Sequence, residues 1–290
     1  GSALGEVHFD PLQSSIVSMA AECLGHPMSK TPFYKEHWIN IEVERLERYQ
    51  AMFGWSPASK PLYGSADIRE GQVVADFGCG PGHTAIEIAR WVGREGHVHA
   101  LDINEDFVRQ CRDNAQKAGF SQIVTSQVVN GATLPLADSS LDRVTARNTL
   151  IYVDDPKATL KEFHRVIHDD GKVHAIEGDW PMMVAEPVPS KKWSALVEAA
   201  AYACRTPDIG RRLPGLLSQT GFSNIELEVV TRPDLDGRLL PMIRNMAGYA
   251  RHGGQMDARE VDDTIQLLEE SLIDRAYLVL APQFVVAAMK

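Results

Sequence analysis

The chain lacks most of what would tie it to a membrane, a metal cluster or a nucleic acid. No apolar run approaches the roughly 20 residues that a membrane-spanning helix needs. Cysteine is scarce: Cys23, Cys79, Cys111 and Cys204 are scattered among 290 residues with no C-x-x-C pair. That spacing excludes a zinc ribbon or a disulfide framework and reads as reduced thiols in a cytosolic protein. Runs of Lys or Arg are missing and the formal net charge is -10, so nucleic acid and anionic membrane surfaces are poor partners. No leader-like segment is visible, and Gly1-Ser2 reads as a cloning remnant, so the expected location is cytoplasmic. There is no internal repeat and no low-complexity linker. What remains is a chain with 44% hydrophobic residues, suited to one large α/β domain with an added substrate-covering part.

The stretch that organises the rest is Val73-Val74-Ala75-Asp76-Phe77-Gly78-Cys79-Gly80-Pro81-Gly82-His83. Its apolar run reads as a buried parallel strand ending in an acid. Three glycines at alternate positions then make a turn without Cβ atoms, on which a ligand can sit directly against the backbone. From His83, apolar residues recur at helical spacing, so a helix starts at the turn and aims its free N–H groups and positive dipole end at that ligand. Cys79 sits where a small residue is required, and its expected role is to fill space rather than to attack a substrate. A dinucleotide site would need G-x-G-x-x-G. Counted from Gly78, that pattern puts a glycine where His83 stands.

Further strands follow. The segment 97–102 ends in Asp102, about 20 residues past Gly82, where an acid accepts from the two ribose hydroxyls in nucleotide-binding βαβ units. Asn104 then caps a helix that ends near Gly119. The segment 123–129 is a third strand, followed by Asn130-Gly131-Ala132, and 141–146 is a fourth, followed by Arg147 and Asn148. Asp155-Pro156 opens a helix. The segment 172–177 is a fifth strand, with Glu177, Asp179 and Trp180 at its end. Helical patterns cover 191–204 and 207–220, and Arg211-Arg212 could clamp a carboxylate or lie on a solvated helix face. A strand at 225–230, a helix from a capping box at Asp257 and Glu260, and a last strand at 284–289 complete the chain. Upstream, amphipathic helices are expected at 11–24 and as one element over about 33–53. The second is rich in rings, most of which pack it onto the sheet, while a few line a pocket. His37, beside Trp38, is its polar group of interest.

The glycine string resembles motif I, D-x-G-x-G-x-G, of the class I methyltransferases that use S-adenosylmethionine. Two other segments resemble that family as well. Asn130 to Asp138 matches G-D-A-x-x-L-P-F-x-D, with Asn130 in place of the acid, and Glu162 to Gly171 matches E-x-x-R-V-L-K-P-G-G. The likeness is specific over about 70–180 and closest to small-molecule methyltransferases of the general UbiE type.

The resemblance implies a doubly wound, mostly parallel, seven-stranded Rossmann-like α/β sheet with a final antiparallel strand beside the fifth. It implies an N-terminal helical lid over 1–64 and a cofactor domain over 65–290, with helices in 180–220 and 235–275 adding to the acceptor pocket. The expected cofactor is S-adenosylmethionine. Asp76, Phe77, Gly78, Cys79, Gly80 and Gly82 would face its amino acid portion, Asp102 and Ile103 its ribose, and Asn130, Gly131 and Ala132 its adenine. Arg147 and Asn148 would meet the methionine end or the substrate. Candidate general bases are His37, Glu177 and Asp179, and candidate pocket residues are Tyr34, Trp38, Tyr152 and Trp180. The expected reaction is in-line methyl transfer to a small metabolite, without a metal, by a monomer or homodimer. A nicotinamide-dependent oxidoreductase and a non-methylating member of the same fold are the alternatives.

Overall fold

The computed structural model describes residues 31–52, 54–130 and 133–290. The helix expected over 11–24, together with Gly131 and Ala132, lies outside the described residues. From Phe33 onward the chain forms a seven-stranded sheet in the order β3-β2-β1-β4-β5-β9-β7. Its strands are β1 (Val73–Phe77), β2 (His97–Asp102), β3 (Val124–Val128), β4 (Leu141–Arg147), β5 (Ile167–Gly178), β7 (Ser223–Val230) and β9 (Gln283–Met289). The first five are parallel; β9 runs antiparallel to β5, and β7 antiparallel to β9. The sheet type and the position of the last strand agree with the expectation. Strand β5 begins five residues earlier than the apolar pattern indicates, at Ile167.

Helices cover both faces, as parallel strands require when each is buried on two sides. Helices α3 (His83–Val92) and α4 (Glu105–Lys117) bury Ile88, Val92, Phe107 and Cys111 on one face. On the other, α5 (Pro156–Val166) and α7 (Ile209–Gln219) bury Leu160, Phe163, Ile209 and Leu213. Each fully buried aliphatic or phenyl side chain of this kind contributes roughly 1.5–3 kcal/mol. A third apolar cluster is built by α6 (Ser190–Ala200), α8 (Leu240–Gly253) and α9 (Ala258–Ile273). They pack with a two-stranded sheet of β6 (Val184–Glu186) and β8 (Leu278–Leu280), which the sequence pattern does not reveal. At the start of α9, Asp257 Oδ1 accepts from Arg259 N at 2.9 Å, so the cap engages the second turn residue rather than Glu260.

The helix expected over 33–53 is two helices, α1 (Phe33–Ile39) and α2 (Val43–Met52). The break is stable because side chains take over the carbonyls that α1 leaves open. Asn104 Nδ2 donates to Trp38 O at 2.9 Å and Ile39 O at 3.1 Å, and Arg45 Nη2 donates to His37 O and to Asn40 O. Between α2 and β1, Pro57, Pro61 and Gly64, which as sequence read only as breaks before the first strand, belong to an ordered element. Pro57–Ala66 is a 3-10 segment capped by Ser56, which buries Leu62 and Tyr63.

Asn104 therefore does two jobs. Its Oδ1 caps α4 by accepting from Phe107 N at 2.8 Å, while its amide holds the end of α1. Asn104→Ala should lower stability in urea unfolding by about 1–2 kcal/mol. Asn104→Asp, which keeps the cap but loses both donors, should fall between the two.

Candidate active site

The carboxyl ends of β1 to β5 meet at one edge, and the order of connection reverses between β1 and β4. Open α/β sheets bind ligands at such switch points. There the chain turns from β1 into α3 through Gly78, Gly80 and Gly82, all with positive φ. At two of these, a side chain has no room. A Cβ on Gly78 would lie 2.1 Å from Thr149 Oγ1, and one on Gly82 2.4 Å from Cys111 Sγ. The turn is fastened to β2: Gly78 N and Cys79 N donate to Leu101 O at 2.7 and 3.0 Å. Gly80 N donates to Asp102 Oδ2 at 2.8 Å, and Asn104 N to Asp102 Oδ1 at 2.9 Å. Each Asp102 oxygen thus holds one backbone N–H and keeps acceptor capacity for a further donor. Cys79 is buried, and its contact with Cys111 and its desolvation push its thiol well above the ordinary range, so it stays protonated, in keeping with a space-filling role.

Asp76, the last acid of β1, is 3% exposed. Desolvation raises its pKa to about 7, assisted by the charge of Asp102 and opposed by Thr145 and Arg147. Thr145 Oγ1 donates to its Oδ1 at 3.3 Å, and its Oδ2 has no hydrogen-bond partner. An orphaned buried carboxylate oxygen beside a glycine-rich turn suits the ammonium of an amino acid ligand.

A single cavity of about 770 Å³ runs from this turn across the strand ends. It is lined at one end by Asp76, Phe77, Gly78, Cys79, Gly80, Asp102, Ile103, Asn130, Arg147 and Asn148, but not by Gly82, which sets the turn from behind. Asn148 adopts φ 49°, and its N–H donates to Ile176 O at 2.9 Å. At the other end, Tyr34, Trp38, Tyr152 and Trp180 all line the wall. Trp38 stacks on Tyr49 at 5.3 Å between ring centroids and meets Tyr152 edge-on at 4.9 Å. Tyr34 Oη and Lys35 Nζ donate to Asp154 at 2.9 and 2.8 Å, which holds α1 against the loop after β4.

The three candidate bases are placed differently. Glu177 is fully buried, and its Oε1 accepts from Thr149 N and Leu150 N at 2.8 and 2.7 Å. It organises the loop after β4 and is not on the cavity wall. His37 is also off the wall: its Nδ1–H donates to Phe33 O at 2.5 Å, its ring stacks on Phe33, and burial lowers its pKa to about 4. Asp179 does line the cavity. Its Oδ2 pairs with Arg211 Nε at 3.1 Å and its Oδ1 is buried without a partner. Desolvation raises its pKa against the pull of Arg211. Arg211 is paired with Asp179 and Arg212 with Asp208, and neither is on this wall, so of the two readings the carboxylate clamp is not formed here. Arg165 binds Glu162, Asp138 and the carbonyls of Leu134 and Leu136, a structural role.

Several wall residues carry no motif. Tyr49, Met242, Asn245, Met246 and Tyr249 belong to α2 and α8, and Arg232 to the loop after β7. On α8 the spacing 242, 245, 246, 249 is one helix face and was a readable signal. Arg232 had none.

Residues 68–229 match the family model described as a methyltransferase domain. The chain belongs to this methyltransferase family. An uncharacterised 37.1 kDa protein in transposon TN4556 of Streptomyces fradiae is 29% identical over 195 residues, covering 65% of this chain and 54% of that protein. The ubiquinone/menaquinone biosynthesis C-methyltransferase UbiE of Klebsiella pneumoniae is 27% identical over 177 residues, covering 55% of this chain and 69% of that one. The chain thus spans about half the length of the first of these relatives. In fold it is similar to phosphoethanolamine N-methyltransferase 2 of Haemonchus contortus bound to S-adenosyl-L-methionine. The TM-score is 0.61 at 17% identity, over 91% of this chain and 61% of the other. The family is the class I group that uses S-adenosylmethionine, and the nicotinamide alternative is set aside. Among the described residues, no helix is long and apolar enough to cross a membrane.

The tight turn sets a sharp requirement. Gly78→Ala should abolish S-adenosylhomocysteine binding in calorimetric titration, because backbone or Thr149 must shift. Gly119→Ala has an equally positive φ but open space around the added methyl. It should cost about 1–2 kcal/mol of stability and leave binding intact.

Proposed function

We propose that this methyltransferase acts on a small metabolite held in the ring-lined half of the cavity. The observation that carries this is the continuity of one cavity from the glycine turn to Trp38, Tyr152 and Trp180. S-adenosylmethionine supplies an electrophilic methyl group on a sulfonium, ready for in-line displacement. In this reading Asp76 accepts from the cofactor's ammonium and Arg147 faces its carboxylate. Asp102 accepts from the ribose hydroxyls and Asn130 from the adenine amine. The ring-lined wall excludes water and holds the acceptor atom near the methyl carbon, a positioning effect that can supply about 7–11 kcal/mol. Helix α1, fastened through Asp154, acts as a lid. Asp179 is the group proposed to take a proton from the acceptor, since its Oδ1 is unpartnered and the neighbouring Arg211 keeps the ionised form accessible.

Two outcomes are expected. Asp179→Asn should lower transfer of labelled methyl groups from S-adenosylmethionine to a metabolite extract by about 10²–10⁴-fold while leaving S-adenosylhomocysteine affinity unchanged. A variant as active as the parent would remove Asp179 from the reaction. The second outcome follows from Asp76, whose buried carboxyl stays largely neutral below about pH 7. Only the ionised form pairs with an ammonium, so S-adenosylhomocysteine affinity should rise as pH increases through about 7. In Asp76→Asn that rise should disappear.

A further inference from the structure

Not every cation on the cavity wall has an ionic partner among the described residues. Four Lys or Arg side chains line it: Lys35, Arg147, Arg232 and Arg238. Lys35 is paired with Asp154 at 2.8 Å. Arg238 lies 3.6 Å from Asp234 and 4.0 Å from Asp236. Arg147 lies at the cofactor end, where its charge lowers the pKa of Asp76. Arg232 forms no ion pair among the described residues. Its one hydrogen bond there, from Nη1 to Ala58 O at 3.4 Å, uses one of five N–H donors.

Arg232 is solvent-exposed, next to a segment that is tied to the small sheet. It follows the end of β7 by two residues and precedes Pro233, whose ring fixes φ. Asp234 then locks the segment to β8, with Asp234 N to Val279 O at 2.9 Å and Val279 N to Asp234 O at 3.0 Å. The Asp234 carboxylate is in turn filled by the N–H groups of Asp236, Arg238 and Leu239 and by Tyr277 Oη, so it is not available to neutralise Arg232. The same wall carries the apolar side chains of Trp180, Met183, Met242 and Met246.

The geometry points to an acceptor that carries an anionic group, a carboxylate or a phosphate, bound by the Arg232 guanidinium, with an apolar body lying along the methionines. This rests on the methyltransferase reading of the same cavity and adds the charge class of its substrate. A guanidinium presents two parallel N–H donors to either anion, which fixes orientation as well as adding affinity.

The test uses protein loaded with S-adenosylhomocysteine and three probes that share one ring system: 1-naphthol, 1-naphthoate and 1-naphthyl phosphate. Titration calorimetry should show one or both anions binding at least about tenfold more tightly than 1-naphthol. Tighter naphthoate identifies a carboxylate substrate, and tighter naphthyl phosphate a phosphate. Arg232→Gln should reduce the anions to the level of 1-naphthol without changing 1-naphthol itself, whereas Arg232→Lys should keep most of the preference. Arg212→Gln, a surface arginine off this wall, should change nothing. Equal binding of all three probes to the parent protein would overturn the inference, as would loss of 1-naphthol along with the anions or an equal effect of Arg212→Gln. Failure of the parent to bind S-adenosylhomocysteine at the loading step would instead count against the methyltransferase reading itself.

Discussion

The turn from β1 into α3 is squeezed from both sides, and the remainder of the site follows from that constraint. Thr149 closes on Gly78 and Cys111 on Gly82, so the backbone passes with no side chains at either position. Asp102 reaches across from the end of β2 to hold Gly80 N and, with its other oxygen, Asn104 N. Asn104 both caps α4 and ties down the end of α1, which carries Tyr34 and Trp38 onto the cavity wall. One chain of polar contacts therefore links the glycine turn, a sheet edge and helix α1.

Buried carboxyls divide the work along the same edge. Asp76, Glu177 and Asp179 all have raised pKa values because each is desolvated. They differ in where their open oxygens lie. Glu177 Oε1 holds backbone N–H groups of the loop after β4, while its Oε2 is buried without a partner and away from the cavity wall. Asp76 and Asp179 each keep one oxygen without a partner, and both lie on the cavity. A desolvated acid with an open oxygen in a cleft is a functional candidate on physical grounds, whereas the same acid enclosed away from the cleft is a structural one.

The sheet and the glycine turn were legible because their signals are local: apolar runs of strand length, punctuating glycines, and caps such as Asn104 and Asp155. The split of α1 from α2 was not, because it depends on Asn104, far along the chain, supplying donors to Trp38 O and Ile39 O. His37 looked like a pocket group because it sits beside Trp38, yet adjacent helix residues face different ways, and its ring turns to Phe33. Glu177 and Asp179 were equivalent as letters. Only the path of the chain after Gly178, where Trp180 N bonds to Pro207 O, separates an acid under the loop from one on the cavity. Arg232 was invisible for a related reason, since its meaning lies in the pairings that the other cations make.

The central claim is that the glycine turn and the acids around it hold S-adenosylmethionine. Thermal unfolding with S-adenosylhomocysteine, S-adenosylmethionine and NADH at matched concentrations tests it most directly. A ligand present at about 100 times its dissociation constant adds ~2.7 kcal/mol, which raises the midpoint by several degrees in a domain of this size. The account predicts that shift with the first two ligands and none with NADH. A shift with NADH and none with S-adenosylhomocysteine would contradict it.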